Sequence, residues 1–424
     1  MNTWELVVYE KVKNDELVGI LMEPFNNEDL TEIREELHLV TRKLLEFASC
    51  YGFSGNIWQD YLTFLLVTDE NGYSLSAEKV GEIHGSLNEY ALDDLCLIRE
   101  LYSLDLQGLA DVSQVSGLGN LMNYEAAKEG TVFNKRIRGH IELLARDLAF
   151  AESSLEFKEV LTAFYKQFGV GKFGLHKAFR LSDTNPGEIL PIRKIAHVHL
   201  DDLVGYEIAK KKLIDNTEAF VAGRKANNCL LFGDAGTGKS SSIKAILNQY
   251  YDEGLRIVEV YKHQFKELNN VIDQLKDRNY KFIIYMDDLS FEDFEIEYKY
   301  LKAVIEGGLA RKPENILIYA TSNRRHLIKE TFKDKETYGE ELHGSDTVQE
   351  KLSLVDRFGI TIYFEKPERR DYEQIVLSLG RKNGIDMPAE ELIAKANQWE
   401  MYHGGRSGRT AQQFIDYLLG KEDA

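Results

Sequence analysis

The chain has 424 residues, 43% of them hydrophobic and 29% charged, with a formal net charge of -18. That balance fits a soluble globular protein of two to three domains, and the acidic excess argues against an unguided grip on DNA or RNA, which needs clustered cations. No apolar run approaches the ~20 residues that span a bilayer, and the opening "MNTWELVVYEKVKNDE" lacks a basic region followed by an apolar one, so the expectation is a cytoplasmic protein without membrane contact.

Residues 1–180 read as a mostly helical domain. In "EDLTEIREELHLVTRKLLEFASCYG", Leu30, Ile33, Leu37, Val40, Leu44 and Phe47 recur at three- and four-residue steps, and Gly52 follows as a stop. A second helical pattern runs through "GHIELLARDLAFAESSLEFKEVLTAFYKQFG". The "GVGKFG" that follows matches the dinucleotide fingerprint G-x-G-x-x-G, but no strand precedes it, so it reads as a helix stop. "SDTNPGEILPIRKIAH" holds two prolines and breaks any helix, which places a linker over 181–199. Cys50, Cys96 and Cys229 lie in no metal-ligand spacing and read as buried, reduced thiols.

Over 200–365 the texture changes. Five apolar runs, "NCLLFG", "RIVEVY", "KFIIYM", "NILIYA" and "ITIYFE", alternate with helical patterns. This is an α/β arrangement, a parallel five-stranded sheet covered by helices. Between the first run and its helix stands "GDAGTGKS", which fits the phosphate loop G-x-x-x-x-G-K-[ST]. Its residues Gly233, Asp234, Ala235, Gly236, Thr237 and Gly238 would fold backbone N–H groups around phosphates, at the positive end of the following helix. Lys239 would reach the β- and γ-phosphates of ATP, Ser240 would help hold Mg²⁺, and Ser241 follows in the first helical turn. The third run ends on two carboxylates, "FIIYMDD". Asp287 suits the Mg²⁺ shell, and Asp288 suits a base or water-orienting group. Residues 366–424 carry three helical stretches and no strand, a small helical lid. The polar segment at 329–346 reads as a surface loop, and His326, His343 and His403 as surface or loop residues.

These motifs, in this order over residues 200–415, resemble an AAA+ ATPase, a P-loop NTPase core with a lid. The resemblance assigns further roles. "LDDLVGYE" is similar to the segment that lies against adenine, which puts Val204 and Gly205 near the base. "ILIYATSN" resembles the sensor-1 strand, with Asn323 between the γ-phosphate and the water. "LSLVDRFG" resembles the arginine-finger segment, with Arg357 offered to a neighbouring subunit, and "HGGRSGRTAQQF" the sensor-2 helix, with Arg406 or else Arg409 in that role. More closely, "GDAGTGKSS", "DDLSFED", "IYATSNRRHL" and "DRFG" resemble a bacterial AAA+ family of unknown function with a helical N-terminal half.

The resemblance implies Mg-ATP hydrolysis at subunit interfaces of a homo-oligomeric ring or spiral, commonly a hexamer. It also implies switching or remodelling of a macromolecular partner bound by the N-terminal domain, with protein favoured over nucleic acid by the charge. Asp-Asp is similar to the replication-initiator and helicase-loader branch, whose members act as nucleotide-dependent switches. Two other readings stand beside it: a non-hydrolysing nucleotide-binding scaffold, and a protein unfoldase-type chaperone. Against the latter, "VEVYKHQFKELNN" has no pore-loop glycine, and Tyr261 and Phe265 are expected to pack inward. Likewise, "IEGGLARKPEN" is too short for the hairpin that helicase-type members insert.

Overall fold

The computed structural model describes residues 5–22, 30–126, 135–196, 198–292, 295–306, 313–324, 327 and 354–422. It divides into two compact units, 1–176 and 177–424. The polar segment 329–346, with His326 and His343, lies outside the described residues.

The first unit is helical. Within the helix Leu30–Tyr51, Leu37, Val40 and Leu44 of the anticipated stripe are wholly buried in a single core with Trp58, Leu62, Leu95 and Ile98, and Phe47 packs against it. The second helical pattern is two helices, Lys135–Phe150 and Ser154–Phe168. Ser153 separates them by accepting the Glu156 N–H at 3.1 Å, the N-cap bond that starts a new helix. Gly169 then ends the second helix in left-handed backbone and a five-residue helix follows, so "GVGKFG" stands where no strand feeds it. The acidity is concentrated in this unit, where residues 1–176 hold 29 acidic against 15 basic side chains.

The second unit is built on a mostly parallel sheet of seven strands: β1 (Ala178–Leu181), β2 (Ile189–Pro191), β3 (Cys229–Gly233), β4 (Leu255–Glu259), β5 (Lys281–Met286), β6 (Ile316–Ser322) and β7 (Ile360–Phe364). They lie in the order β2-β1-β4-β5-β6-β3-β7. The five expected strands are β3 to β7, all parallel to their neighbours. The two added strands correct the reading of 181–199 as a linker and of the sheet as five-stranded. β1 pairs parallel to β4, and β2 returns antiparallel to β1 at the edge. Both are too short to show a period, and the prolines that suggested a break fit here. Pro186 sits in the turn between them. Pro191 ends an edge strand, where a missing N–H costs no central ladder bond.

Register brings three strand ends level. Met286 of β5 pairs with Ala320 of β6, and Phe232 of β3 with Ser322. Asp287, Asn323 and the loop after Gly233, just beyond these strand ends, therefore leave the sheet at one end, beside Thr321 near the end of β6. Beyond β7, the helices Arg369–Lys382, Ala389–Tyr402 and Gly408–Glu422 pack around Tyr372, Val376, Leu392, Ala396, Phe414 and Ile415 as the helical lid. Among the described residues no helix is long and apolar enough to cross a membrane. Of the cysteines, only Cys229 is buried, while Cys50 is exposed and Cys96 half-buried. Cys229 alone lies inside a core strand, whereas the other two sit on helices with one face in water. Phe265 packs inward as expected, but Tyr261 is 41% exposed.

Candidate functional site

The phosphate loop follows from the packing of β3 between β6 and β7. A Cβ on Gly233 would run into the Phe364 carbonyl oxygen of β7, so only glycine permits that approach. Gly236 and Gly238 then take left-handed backbone, and the helix Lys239–Tyr250 begins. Lys239 is 6% exposed. Its ammonium donates to the carbonyls of Gly233 (2.8 Å) and Asp234 (2.7 Å) and to Asn323 Oδ1 (3.0 Å). Burial lowers its pKa, against the opposite pull of Asp234, Asp288 and Asp287.

Asp287 is fixed by one oxygen. Its Oδ1 accepts from Ser240 Oγ (2.7 Å), Tyr285 OH (2.7 Å), Thr321 Oγ1 (2.6 Å) and the Asp288 N–H (3.2 Å). Burial works against its charge, but the hydroxyls of Thr321, Tyr285 and Ser240 outweigh burial and hold its pKa below the usual carboxylate value. Asp288 sits in left-handed backbone at φ 49°, its N–H on Thr321 Oγ1 (3.0 Å) and its Oδ1 accepting from Asn323 Nδ2 (2.7 Å). Lys239, Asn323 and Asp288 are thus one hydrogen-bonded chain. The hydroxyl of Ser240 and the carboxylate of Asp287 are hard oxygen donors in mutual contact, which fits a magnesium ion held by few protein ligands and several waters.

These groups open onto a cavity of about 720 Å³ between sheet edge and lid. Ala235 to Ser241, Asp287, Asp288 and Asn323 line one end. Leu203, Val204, Tyr206, Ile375 and Leu379 line an apolar side, with Arg409, Gln412 and Gln413 from the last lid helix. Gly205 lies outside the lining, in left-handed backbone that presents its neighbours. Gly233 and Asp234 also lie outside it, and serve through the carbonyls that Lys239 meets. The Tyr206 hydroxyl is buried without a hydrogen-bond partner among the described residues, and burial, with Asp371 and Asp234, pushes its pKa up to about 12.

Of the two lid arginines, the structure brings Arg409 to the cavity, its backbone N–H donating to the Gly236 carbonyl at 3.3 Å. Arg406 is turned to Glu400 at 3.1 Å, outside the lining. The reason is helical: three residues on, at the start of Gly408–Glu422, the backbone touches the phosphate loop itself. Arg357 is also absent from the cavity. It is ion-paired with Glu306 and lies before β7, whose first residue is level with Cys229 and whose last is level with Gly233. That is the opposite end of the sheet from the loop.

Sequence reasoning missed Tyr285, Thr321, Asp202 and Lys382. Tyr285 could have been found, since in a strand it shares a face with Asp287 two residues on. Asp202 and Lys382, paired at 2.6 Å on the cavity rim, are too far apart in the chain for any spacing rule.

A family model described as "Protein of unknown function (DUF815)" matches residues 174–422. No curated protein matches the chain. Among solved structures it is similar to the Thermotoga maritima RuvB Holliday junction branch migration motor, at 14% identity and a TM-score of 0.32 over 52% of this chain and 72% of that one. Two point variants of that protein give 13% and 14% identity, each with a TM-score of 0.33 and the same coverage.

Proposed function

This chain belongs to the DUF815 family of proteins of unknown function, and from its AAA+-type P-loop core we propose that it is a cytoplasmic Mg-ATP hydrolase. One observation carries the reading. The phosphate-loop lysine, the magnesium-type serine and carboxylate, and the second acid stand in one hydrogen-bonded network at the edge of a cavity large enough for a nucleotide.

In this reading, backbone N–H groups of the loop and Lys239 hold the β- and γ-phosphates. Ser240 and Asp287 would hold Mg²⁺, which when bound neutralises charge on the transferring phosphoryl group. Asp288 takes the proton of, or orients, the attacking water, and Asn323 positions it against the γ-phosphate. Val204 and Tyr206 border the base. Arg409 replaces Arg406 as the lid arginine facing the phosphates, and Arg357 serves a neighbouring chain's site. Hydrolysis then switches or remodels a macromolecular partner. The 29 acidic against 15 basic side chains of residues 1–176 favour a cationic protein surface over nucleic acid, docked on that unit.

The test is phosphate release together with nucleotide binding. Asp288→Asn should lose turnover by ~10²–10⁴, the worth of a positioned base, and still bind ATP, while Lys239→Ala should lose binding. Wild-type protein that binds ATP and releases no phosphate would sink the hydrolase reading in favour of a nucleotide-binding scaffold.

A further inference from the structure

The phosphate-loop network contains a residue that strand burial alone does not explain. β5 reads "KFIIYM", and Tyr285 within it is 4% exposed. Phenylalanine would fill that space as well and would leave no hydroxyl to satisfy. Burying a phenolic O–H is costly unless it finds an acceptor. Here it finds Asp287 Oδ1 at 2.7 Å. The same oxygen also receives Ser240, Thr321 and the Asp288 N–H. A carboxylate offers about four acceptor positions shared over two oxygens. Four donors on Oδ1 are more than its own share of about two, and among the described residues none donates to Oδ2. Such one-sided crowding fixes the rotation of the carboxyl group. A tyrosine from the strand interior and a threonine from the adjoining strand supply the crowding from outside the phosphate loop.

We propose that Tyr285 is a positioning residue for the cation half of the site: its hydroxyl, with that of Thr321, locks Asp287 through Oδ1 and leaves Oδ2 for the hydrated magnesium ion. The proposal rests on the Mg-nucleotide reading above and adds residues to it. Outer partners of this kind orient a ligand and set how readily it accepts the ion. Tyr285 touches neither nucleotide nor water in this scheme, so its loss should alter the metal requirement and spare metal-free binding.

The experiment uses the full chain and a fluorescent ADP analogue, with affinity measured in EDTA and across a MgCl₂ titration. Tyr285→Phe keeps the ring and its packing. Its affinity in EDTA should stay within about twofold of wild type, while the Mg²⁺ concentration for half the metal-dependent tightening should rise by roughly tenfold, as for other outer-ligand deletions. Thr321→Val should shift it in the same direction, and Thr321→Ser, which keeps the hydroxyl, should restore the wild-type requirement. If Tyr285→Phe melts early, the Thr321 pair alone decides. A Tyr285→Phe requirement within twofold of a clearly Mg²⁺-dependent wild type overturns the proposal and leaves the ATPase reading standing. Wild-type protein that binds no nucleotide, or binds it without regard to Mg²⁺, overturns both.

Discussion

At the scale of single residues, the backbone explains a choice that the sequence only posed. Asp288 occupies left-handed backbone, a region that short polar side chains such as Asp and Asn enter more readily than long ones. The second acid of this site is therefore Asp instead of the longer Glu for a conformational reason as well as a chemical one. Away from the site, the buried Asp60 is a residue for which charge is costly. It is 4% exposed, its Oδ2 has no hydrogen-bond partner among the described residues, and burial, with Glu142 nearby, raises its pKa to about 7. The folded state thus favours the protonated form more than the unfolded state does, whose Asp titrates near ~3.9. Stability from this group is full below that value and drains away as pH rises towards about 7. Asp60→Asn should leave the denaturation midpoint near wild type at acid pH and stabilise the protein by about 1–4 kcal/mol in mild alkali. Chemical denaturation at the two pH values checks it, and equal midpoints in alkali would show that Asp60 is not held neutral.

Among elements, the five longer strands were legible because each carries a short, mostly apolar run between helical patterns, and the phosphate loop because its spacing is rigid. The pair β1 and β2 was not legible, since seven residues in two strands carry no readable period and prolines mask them. Nor was the choice between Arg406 and Arg409, which depends on where the last lid helix meets Gly236. The lid has another tie to the core that only the fold reveals. Lys382, in the last turn of Arg369–Lys382, bonds Asp202 Oδ1 at 2.6 Å, while Asp202 Oδ2 accepts the His199 N–H at 2.8 Å. One carboxylate so fastens both its own turn and the lid, and the Lys382 bond, followed by that of His199, lowers its pKa. The pair is partly exposed and is worth no more than about 0.2–1 kcal/mol. Lys382→Met should therefore speed release of a fluorescent nucleotide by roughly two- to fivefold at low salt, with the gap closing as salt screens the pair. Identical release rates at low salt would remove the tie from the account of the lid.

For the whole molecule, the decisive fact is the placement of Arg357. It stands at the far end of the sheet from its own phosphate loop, in an ion pair with Glu306. Under the proposed function it can act only on a second chain. Arg357→Ala should cut turnover by ~10³–10⁵, the worth of such an arginine. Mixing Arg357→Ala with Lys239→Ala, each inactive alone, should restore phosphate release, because the second variant still lends its arginine to sites of the first. A mixture as inactive as its components would count against action in trans. The sequence could single out this arginine, but only the register of β3 against β7 places it away from its own phosphate loop. Under that reading a solitary copy would hold nucleotide without turning it over, and the rate per chain at constant ATP would climb as the protein is concentrated.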